Sequence, residues 1–279
     1  MSILATLSVK LHHISAFWRL RQHFNNPWLI AGLRLGLLKM EYFPYRISKD
    51  SHSYVLLGRP RTGSSTDLFV LREVLAEETY RDVLPLLPDR ALRVVDIGAN
   101  LGATTIWLSR KVRLKQAFCF EPEPDSFRLL RFNLAKNGCS CACAIPKAVG
   151  GKSRTARMVL DEHSPGGTNI YATPADNQAS IGSSIEVVAL SEWLRETPDQ
   201  FDLLKMDCEG AEWEIVRNTP ASELARFGAV AAEIHEDPER QQPVESFAEL
   251  IESRGFKTIR WDRKSAGLYF GIRDSERKA

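Results

Sequence analysis

Beyond residue 91 the chain alternates between short apolar runs and segments with helical spacing of apolar residues. The apolar runs predict strands at 92–97, 116–121, 141–145, 201–207, 228–235, 256–261 and 267–272. The segments between them predict helices at 103–112, 124–137, 190–196, 211–218 and 243–254. Apolar strands separated by helices are typical of an α/β fold with a mostly parallel sheet covered on both faces. Only the segment DRKSA joins the last two strands, so we expect them to pair as an antiparallel hairpin at one edge.

Residues 1–65 lack this alternation and show helical patterns, so we expect a helical N-terminal extension followed by one domain over 66–279. Apolar residues recur at helical spacing near the start of the chain, at Ile3, Leu7, Leu11, Ile14 and Trp18. Such a stripe predicts packing against the main domain or self-association with a second subunit. The alternative is an interfacial helix on anionic lipid. It rests on a run of basic residues before the first acid, Glu41, namely Lys10, Arg19, Arg21, Arg34 and Lys39.

The hydropathy pattern also bears on location. The chain contains no uncharged apolar run of about 18 residues, and its first residues do not have the pattern of a secretory signal. We therefore expect a cytoplasmic protein, with contact to a membrane surface as the alternative. A hydrophobic fraction of 44% and a net charge of +2 indicate a globular protein and give no reason to expect a nucleic-acid partner.

Five cysteines are present, an odd number that favours reduced thiols: Cys119, Cys139, Cys141, Cys143 and Cys208. Three of them alternate within the strand-like stretch CSCACAIP. Thiols on one face of a strand lie about 6–7 Å apart and cannot converge on one zinc ion. We therefore expect core cysteines and no metal site.

A loop-rich insertion interrupts the alternation at residues 160–188, LDEHSPGGTNIYATPADNQASIGSSIEVV. It is too long for an idle connection in a compact domain, and loops of this length often cover or bind ligands. We expect a lid over an acceptor pocket. The flanking segments TARMVL and SIEVV predict an additional hairpin.

The turn after the first strand of the sheet, in VVDIGANLGA, has the character of a ligand-binding turn. A dinucleotide-binding fingerprint requires glycine where this chain has Asn100 and Ala103, and a phosphate-binding loop would need a following Lys-Ser or Lys-Thr pair. The acid Asp96 before Gly98 suits a cationic ligand amine and would repel a pyrophosphate. Glu121, at the end of the next strand, can accept hydrogen bonds from both ribose hydroxyls of an adenosine. Together these features predict S-adenosylmethionine as the cofactor.

The blocks VVDIGANLGATTIWLSR, FEPEPDSFRLLRFNL, KAVGG, LLKMDCEGAEWEIV and AEIHE resemble the successive motifs of FkbM-type S-adenosylmethionine-dependent methyltransferases. The resemblance covers roughly residues 66–272. It implies a class I, Rossmann-like methyltransferase fold. It also implies an enzyme that O-methylates a hydroxyl of a sugar, glycan or natural product. The cofactor-binding residues it implies are Asp96, Gly98, Ala99, Asn100, Gly102, Glu121, Ala148, Val149 and Asp207. For Ala148 and Val149, ordinary packing at a strand end remains an equal alternative.

The candidate catalytic residues stand at the ends of two later strands. Asp207 and Glu209 follow strand 201–207, and His235 ends the neighbouring strand. A hydroxyl acceptor benefits from a general base, and a neutral imidazole titrates in the appropriate range, so His235 is the predicted base. Two alternatives remain open. Glu209 could cap helix 211–218, and the three side chains could hold a divalent ion, although their spacing does not demand one.

Two other functions compete with methyl transfer. A nicotinamide-dependent oxidoreductase would use a related sheet, but Asn100 and Ala103 stand where its fingerprint needs glycine. A non-catalytic cofactor-binding scaffold would be expected to lose Asp96, Glu121 or Asp207, and all three are present. The sequence does not name the methyl acceptor.

Overall fold

The computed structural model describes residues 21–60, 66–160, 168–169, 184–237, 240, 243–262 and 267–273. The described chain forms two compact units, one ending at Thr79 and the other beginning at Tyr80. The first contains helix α1 (Pro27–Arg34), strands β1 (Phe43–Lys49) and β2 (His52–Gly58), and helix α2 (Thr66–Leu71), followed by a π-helical turn at Arg72–Ala76. The apolar stripe predicted over residues 3–18 lies outside the described residues.

The N-terminal extension is therefore not purely helical, which corrects the sequence prediction. Strands β1 and β2 pair antiparallel from Phe43 opposite Gly58 to Lys49 opposite His52. Alternate residues of β1 are buried, as expected for a strand with one covered face. Pro44 within β1 obscured this alternation in the sequence, because proline is typical of breaks and edge strands.

The second unit is built on a sheet of seven strands within the described residues. The strands are β3 (Leu92–Ile97), β4 (Leu114–Phe120), β5 (Ala142–Ile145), β11 (Phe201–Met206), β12 (Phe227–Ile234), β13 (Phe256–Asp262) and β14 (Gly267–Arg273). Their order in the sheet is β13-β14-β12-β11-β3-β4-β5. The five strands from β12 to β5 run parallel, whereas β14 is antiparallel to β12 and β13 is antiparallel to β14. This arrangement confirms the predicted mostly parallel sheet with an antiparallel edge hairpin.

The helices of this unit are α3 (Ala103–Lys111), α4 (Pro124–Lys136), α5 (Leu190–Glu196), α6 (Ala211–Asn218), α7 (Ala221–Leu224) and α8 (Ser246–Glu252), with a 3₁₀ helix at Arg81–Leu86. All of the α-helices except the short α7 lie where the sequence predicts a helix, and the 3₁₀ helix was not predicted either. Strand β11 is buried along its whole length, as a central strand covered on both faces must be. Helix α4 begins at Pro124, and the Glu123 side chain accepts from the backbone N–H groups of Asp125 and Ser126.

A second, smaller sheet flanks the predicted insertion. It contains β6 (Ala148–Gly150), β7 (Arg154–Arg157) and β10 (Ser184–Ala189), in the order β6-β10-β7. The antiparallel pairing of β7 with β10 confirms the additional hairpin predicted from TARMVL and SIEVV. Short strands β8 (Val159–Leu160) and β9 (Thr168–Asn169) also pair. Most of the predicted lid, residues 161–167 and 170–183, lies outside the described residues.

The cysteines depart in part from the expected core positions. Cys119 and Cys139 are buried, but Cys141 is half-buried and Cys143 is exposed. The reason is that Cys143 belongs to β5, which forms an edge of the large sheet. Among the described residues, no helix has both the length and the apolarity needed to cross a membrane.

Candidate active site

The turn after β3 brings three strand ends together. Gly98 has a φ of 71°, and a Cβ atom placed on it would lie 1.8 Å from the carbonyl oxygen of Asp207. The amides of Gly98 and Ala99 both donate to the carbonyl oxygen of Phe120, at 3.1 and 2.9 Å. Only glycine fits at position 98, because its φ is left-handed and because the turn after β11 passes directly against it.

The next residues of the same turn lead into helix α3. Asn100 also has a left-handed backbone, with a φ of 48°, and its amide donates to Glu121 Oε2 at 2.8 Å. Its side-chain Oδ1 is buried and has no hydrogen-bond partner within the described part of the chain. Gly102, with a φ of 90°, precedes α3. A left-handed non-glycine residue with a buried, unsatisfied oxygen is typical of a ligand-binding position.

Glu121 lies at the end of β4 with 7% of its surface exposed. Its Oε1 accepts from the amide of Glu123 at 2.9 Å, while Oε2 accepts from the amide of Asn100. Burial raises the pKa of the carboxyl to about 7, although the two amide hydrogen bonds oppose the increase. Each carboxylate oxygen has a second lone-pair direction, so Glu121 can accept further hydrogen bonds from a ligand.

A buried lysine that the sequence analysis did not select lies beneath this turn. Lys205 Nζ is 3.1 Å from Asp96 Oδ1 and donates to the carbonyl oxygen of Gly98 at 2.8 Å. Thr105 donates to the other carboxylate oxygen of Asp96 at 2.7 Å. Burial alone would lower the pKa of Lys205, but the carboxylates of Asp96 and Asp207 outweigh it and raise that pKa above its ordinary value. Lys205 is therefore a fixed cation.

This ion pair corrects the expectation that Asp96 meets a ligand amine. Asp96 is 1% exposed and both of its oxygens already face Lys205 or Thr105. The side chain of Asp207, by contrast, is 33% exposed and lies 3.8 Å from the same Nζ. Asp207 is thus more accessible to a cationic ligand group than Asp96 is.

In the turn after β11, the carboxylate that accepts from the backbone amides is that of Glu212 and not that of Glu209. Glu212 is fully buried in the first turn of α6, where Oε1 accepts from the amide of Cys208 at 2.6 Å and Oε2 from that of Gly210 at 2.9 Å. Glu209 and Gly210 have φ values of 55° and 101°. The alternative in which Glu209 caps helix 211–218 is therefore incorrect. The carboxylate of Glu209 is left at the surface of the turn, 32% exposed.

His235 lies directly against this turn. Its Nδ1 is 3.3 Å from Glu212 Oε1 and its Nε2 is 3.6 Å from Glu209 Oε2. Burial would lower the pKa of the imidazole, but the hydrogen bond and the charge of Glu212, together with the charges of Asp207 and Glu209, raise it to about 10. The ring is therefore an imidazolium at neutral pH, which argues against the neutral base expected from the sequence.

The pKa of Glu209 is raised above the ordinary value for a glutamate. Burial raises its pKa, the nearby charges of Asp207 and Glu212 add to the increase, and the imidazolium of His235 counteracts it in part. Asp207, Glu209 and His235 are thus brought together, as the strand-end rule predicts. In the described part of the chain, no group of three or more His, Cys, Asp and Glu side chains has the arrangement of a metal site.

Ala148 and Val149 occupy a packed position in β6. Both are buried, at 6% and 2% exposure, and they pair with residues of β10. Val149 belongs to the same apolar cluster as Phe120. The following Gly151 is required by packing, since a Cβ there would lie 2.5 Å from the carbonyl oxygen of Glu214. Packing accounts for Ala148 and Val149 as they stand, and their contact with a cofactor stays a prediction.

The order of the seven-stranded sheet, with its antiparallel edge, is that of a Rossmann-like methyltransferase fold. The family model described as the methyltransferase FkbM domain matches residues 96–258. Because this match covers more than half of the chain, the protein belongs to the FkbM methyltransferase family. Members of this family use S-adenosylmethionine, so the predicted family, fold class and cofactor are confirmed.

Curated relatives agree with this assignment. Methyltransferase 1 of Beauveria bassiana is 26% identical over 205 residues, which cover 67% of this chain and 80% of the relative. Methyltransferase sdnD of Sordaria araneosa is 26% identical over 220 residues, covering 69% of this chain and 83% of the relative. Among solved structures, methyltransferase FkbM from Methylobacillus flagellatus KT aligns with a TM-score of 0.45 and 14% identity, over 64% of this chain and 43% of that chain.

Several features of the turn fit the cofactor of the family. Gly98 lets the turn after β11 pass directly against the turn after β3, the buried Asn100 Oδ1 lacks a partner among the described residues, and Glu121 retains accepting capacity. The family assignment also argues against the nicotinamide-dependent alternative.

Proposed function

We propose that this methyltransferase methylates a hydroxyl oxygen of a sugar, glycan or natural-product acceptor. The observation that carries the proposal is the carboxylate of Glu209, which is one-third exposed at the end of β11 and has a raised pKa. A hydroxyl must lose its proton as it becomes an ether, and a partly buried carboxylate of increased basicity suits that task. The net charge of +2 supports a small-molecule or glycan acceptor and not a nucleic acid.

Bound S-adenosylmethionine supplies an electrophilic methyl group on a sulfonium centre. In our proposal Glu121 accepts hydrogen bonds from the ribose hydroxyls, using the lone pairs that its two backbone donors leave available. The turn after β3 lines the cofactor site with Gly98, Ala99, Asn100 and Gly102. Asp207 pairs with the amino group of the methionine part. Asp96 stabilises this turn indirectly, because it forms an ion pair with Lys205, which donates to the carbonyl oxygen of Gly98.

The proton of the acceptor is assigned to Glu209. The Nε2 atom of His235 lies 3.6 Å from Glu209 Oε2, so the imidazolium can hold this carboxylate in place. Glu212 already accepts from the amides of Cys208 and Gly210, so these two hydrogen bonds do not use the carboxylate of Glu209. Asp207 and His235 thus act as orienting groups, and Glu209 as the proton acceptor.

The proposal is tested by methyl transfer from S-adenosylmethionine with a deuterated methyl group. The purified protein is incubated with small-molecule and glycan extracts, and labelled products are fragmented by mass spectrometry. We expect the label on oxygen in the parent and a loss of labelling in Glu209→Gln. Glu249→Gln, an exposed acid on α8, is the matched control and should label normally. Label on nitrogen or carbon would overturn the assignment of the acceptor.

A further inference from the structure

An apolar surface in the first unit has no counterpart elsewhere in the described residues. The described residues of the two units together expose nine large apolar side chains. Six of them lie between Trp28 and Met40, and the other three are scattered at Phe69, Phe132 and Ile259. The six are Trp28 (74% exposed), Leu29 (51%), Leu35 (56%), Leu37 (76%), Leu38 (39%) and Met40 (50%). We call them the Trp28–Met40 patch. Single exposed apolar residues are ordinary, but a cluster of this kind marks an interaction surface.

The local structure holds this surface in one conformation. Helix α1 buries Ile30 and Leu33 on one face, so Trp28 and Leu29 are directed to solvent on the other. The helix ends in a turn at Gly36, which has a φ of 70°. The amides of Leu37 and Leu38 donate back to the carbonyl oxygen of Gly32, at 2.9 and 3.2 Å. These hydrogen bonds are typical of a helix C-terminus, and they place the apolar residues after the turn outside the fold.

The charge around the patch selects its partner. Residues 21–41 contain three basic residues, Arg21, Arg34 and Lys39, and one acid, Glu41, which gives this segment a net charge of +2, and Lys39 lies exposed within the patch. A second copy of the same surface would bring like charges together, which disfavours a symmetric dimer. An anionic partner is favoured instead. Tryptophan and leucine beside basic residues are the composition with which peripheral proteins enter the headgroup region of an anionic bilayer.

We propose that the Trp28–Met40 patch docks on an anionic membrane surface and makes this methyltransferase a peripheral membrane protein. The apolar side chains enter the interface, while the basic residues of the same segment face the lipid phosphates. This docking is independent of the identity of the methyl acceptor.

The test is co-sedimentation of the full chain with vesicles of phosphatidylcholine, with or without about one-third phosphatidylglycerol. We expect binding to the anionic vesicles at least about tenfold stronger than to the neutral ones, and weaker binding at high salt. The double variant Trp28→Gln/Leu37→Gln should lose at least about tenfold in affinity, since two side chains no longer enter the bilayer. The control variant Phe132→Gln/Ile259→Gln replaces two apolar residues of the second unit that are 51% and 48% exposed. It should bind the anionic vesicles as tightly as the parent does.

The single variant Leu37→Gln should also weaken binding. Because Leu37 is 76% exposed, this substitution is expected to leave the fold intact, so weaker binding of this variant does not come from misfolding. Equal binding to neutral and anionic vesicles, or undiminished binding of the patch variants, would overturn the proposal. Sedimentation equilibrium provides the other decisive outcome. A dimer that dissociates in the double variant, without vesicle binding by the parent, would assign the patch to a second copy of this chain.

Discussion

Lys205 Nζ lies 3.1 Å from Asp96 Oδ1, and the two side chains are 3% and 1% exposed. The residues stand opposite each other on adjacent parallel strands, β11 and β3. Lys205 also donates to the carbonyl oxygen of Gly98, so one buried cation connects the turn after β3 to β11, the strand that Asp207 follows. This ion pair fixes the relative position of the two turns that form the candidate site.

Lys205→Met should destabilise the protein by about 3–5 kcal/mol, because it leaves the buried carboxylate of Asp96 without its cation. The free energy of unfolding is measured by urea denaturation. The double variant Asp96→Asn/Lys205→Met removes both charges and should recover part of the loss. A Lys205→Met protein as stable as the parent would show that the pair does not organise this part of the sheet.

The stability of the protein should depend on pH through His235. Its pKa is about 10 in the fold and about 6.5 when unfolded, so the imidazolium stabilises the fold fully below pH 6.5. That contribution is lost as the pH rises towards 10. Between these limits the parent should lose on the order of a few kcal/mol more unfolding free energy than His235→Gln. Parallel pH profiles for the two proteins would contradict the raised pKa.

Turnover should depend on Glu209 as the proton acceptor. Glu209→Gln is expected to lower turnover about 100- to 10,000-fold, the usual range for loss of a general base. The affinity for S-adenosylmethionine should stay within a few fold, because this carboxylate is assigned to the acceptor. Turnover is followed with the acceptor identified by deuterated-methyl labelling. Near-normal turnover of Glu209→Gln would remove it from the mechanism.

The same assay distinguishes Glu209 from His235 as the base. The imidazolium lowers the pKa of Glu209, so its removal in His235→Gln should raise that pKa further. The acid limb of the pH–rate profile should then move to higher pH in this variant. If His235 were the base, the limb would disappear instead.

Much of the large sheet could be predicted from the sequence. Strands buried on both faces leave continuous apolar runs, so β3 was predicted with its observed bounds. Helices α5 and α6 were also predicted with their observed bounds. Strand β6 was missed because it is only three residues long. The β1–β2 hairpin was missed because Pro44 interrupts its alternation.

The candidate site was predicted only in part. The strand-end rule correctly groups Asp207, Glu209 and His235, because position in a parallel sheet follows from the order of the elements. The roles of Lys205 and Glu212 depend on partners that the pattern does not show, such as Asp96 on another strand and the amides of Cys208 and Gly210. One signal was available for Lys205. A lysine inside the apolar run LLKM must be buried and therefore paired.

The proposed cofactor site depends most on Glu121, the acid proposed to bind the ribose. Calorimetry with S-adenosylhomocysteine avoids turnover, and at about pH 8 Glu121→Gln should lose about 1–3 kcal/mol of binding free energy, the usual cost for hydrogen bonds to a charged acceptor. Glu249→Gln, on the exposed face of α8, should bind like the parent.

The pH dependence of this titration gives the most direct single measurement. In the proposed site only the ionised carboxylate of Glu121 accepts from both ribose hydroxyls, and its pKa is about 7, so the affinity of the parent should rise as the pH is raised through 7. Below that value each pH unit should cost up to about tenfold in affinity, whereas Glu121→Gln should show no such dependence. Unchanged affinity in the variant, or a parent whose affinity is flat across this range, would contradict the assignment of the cofactor site.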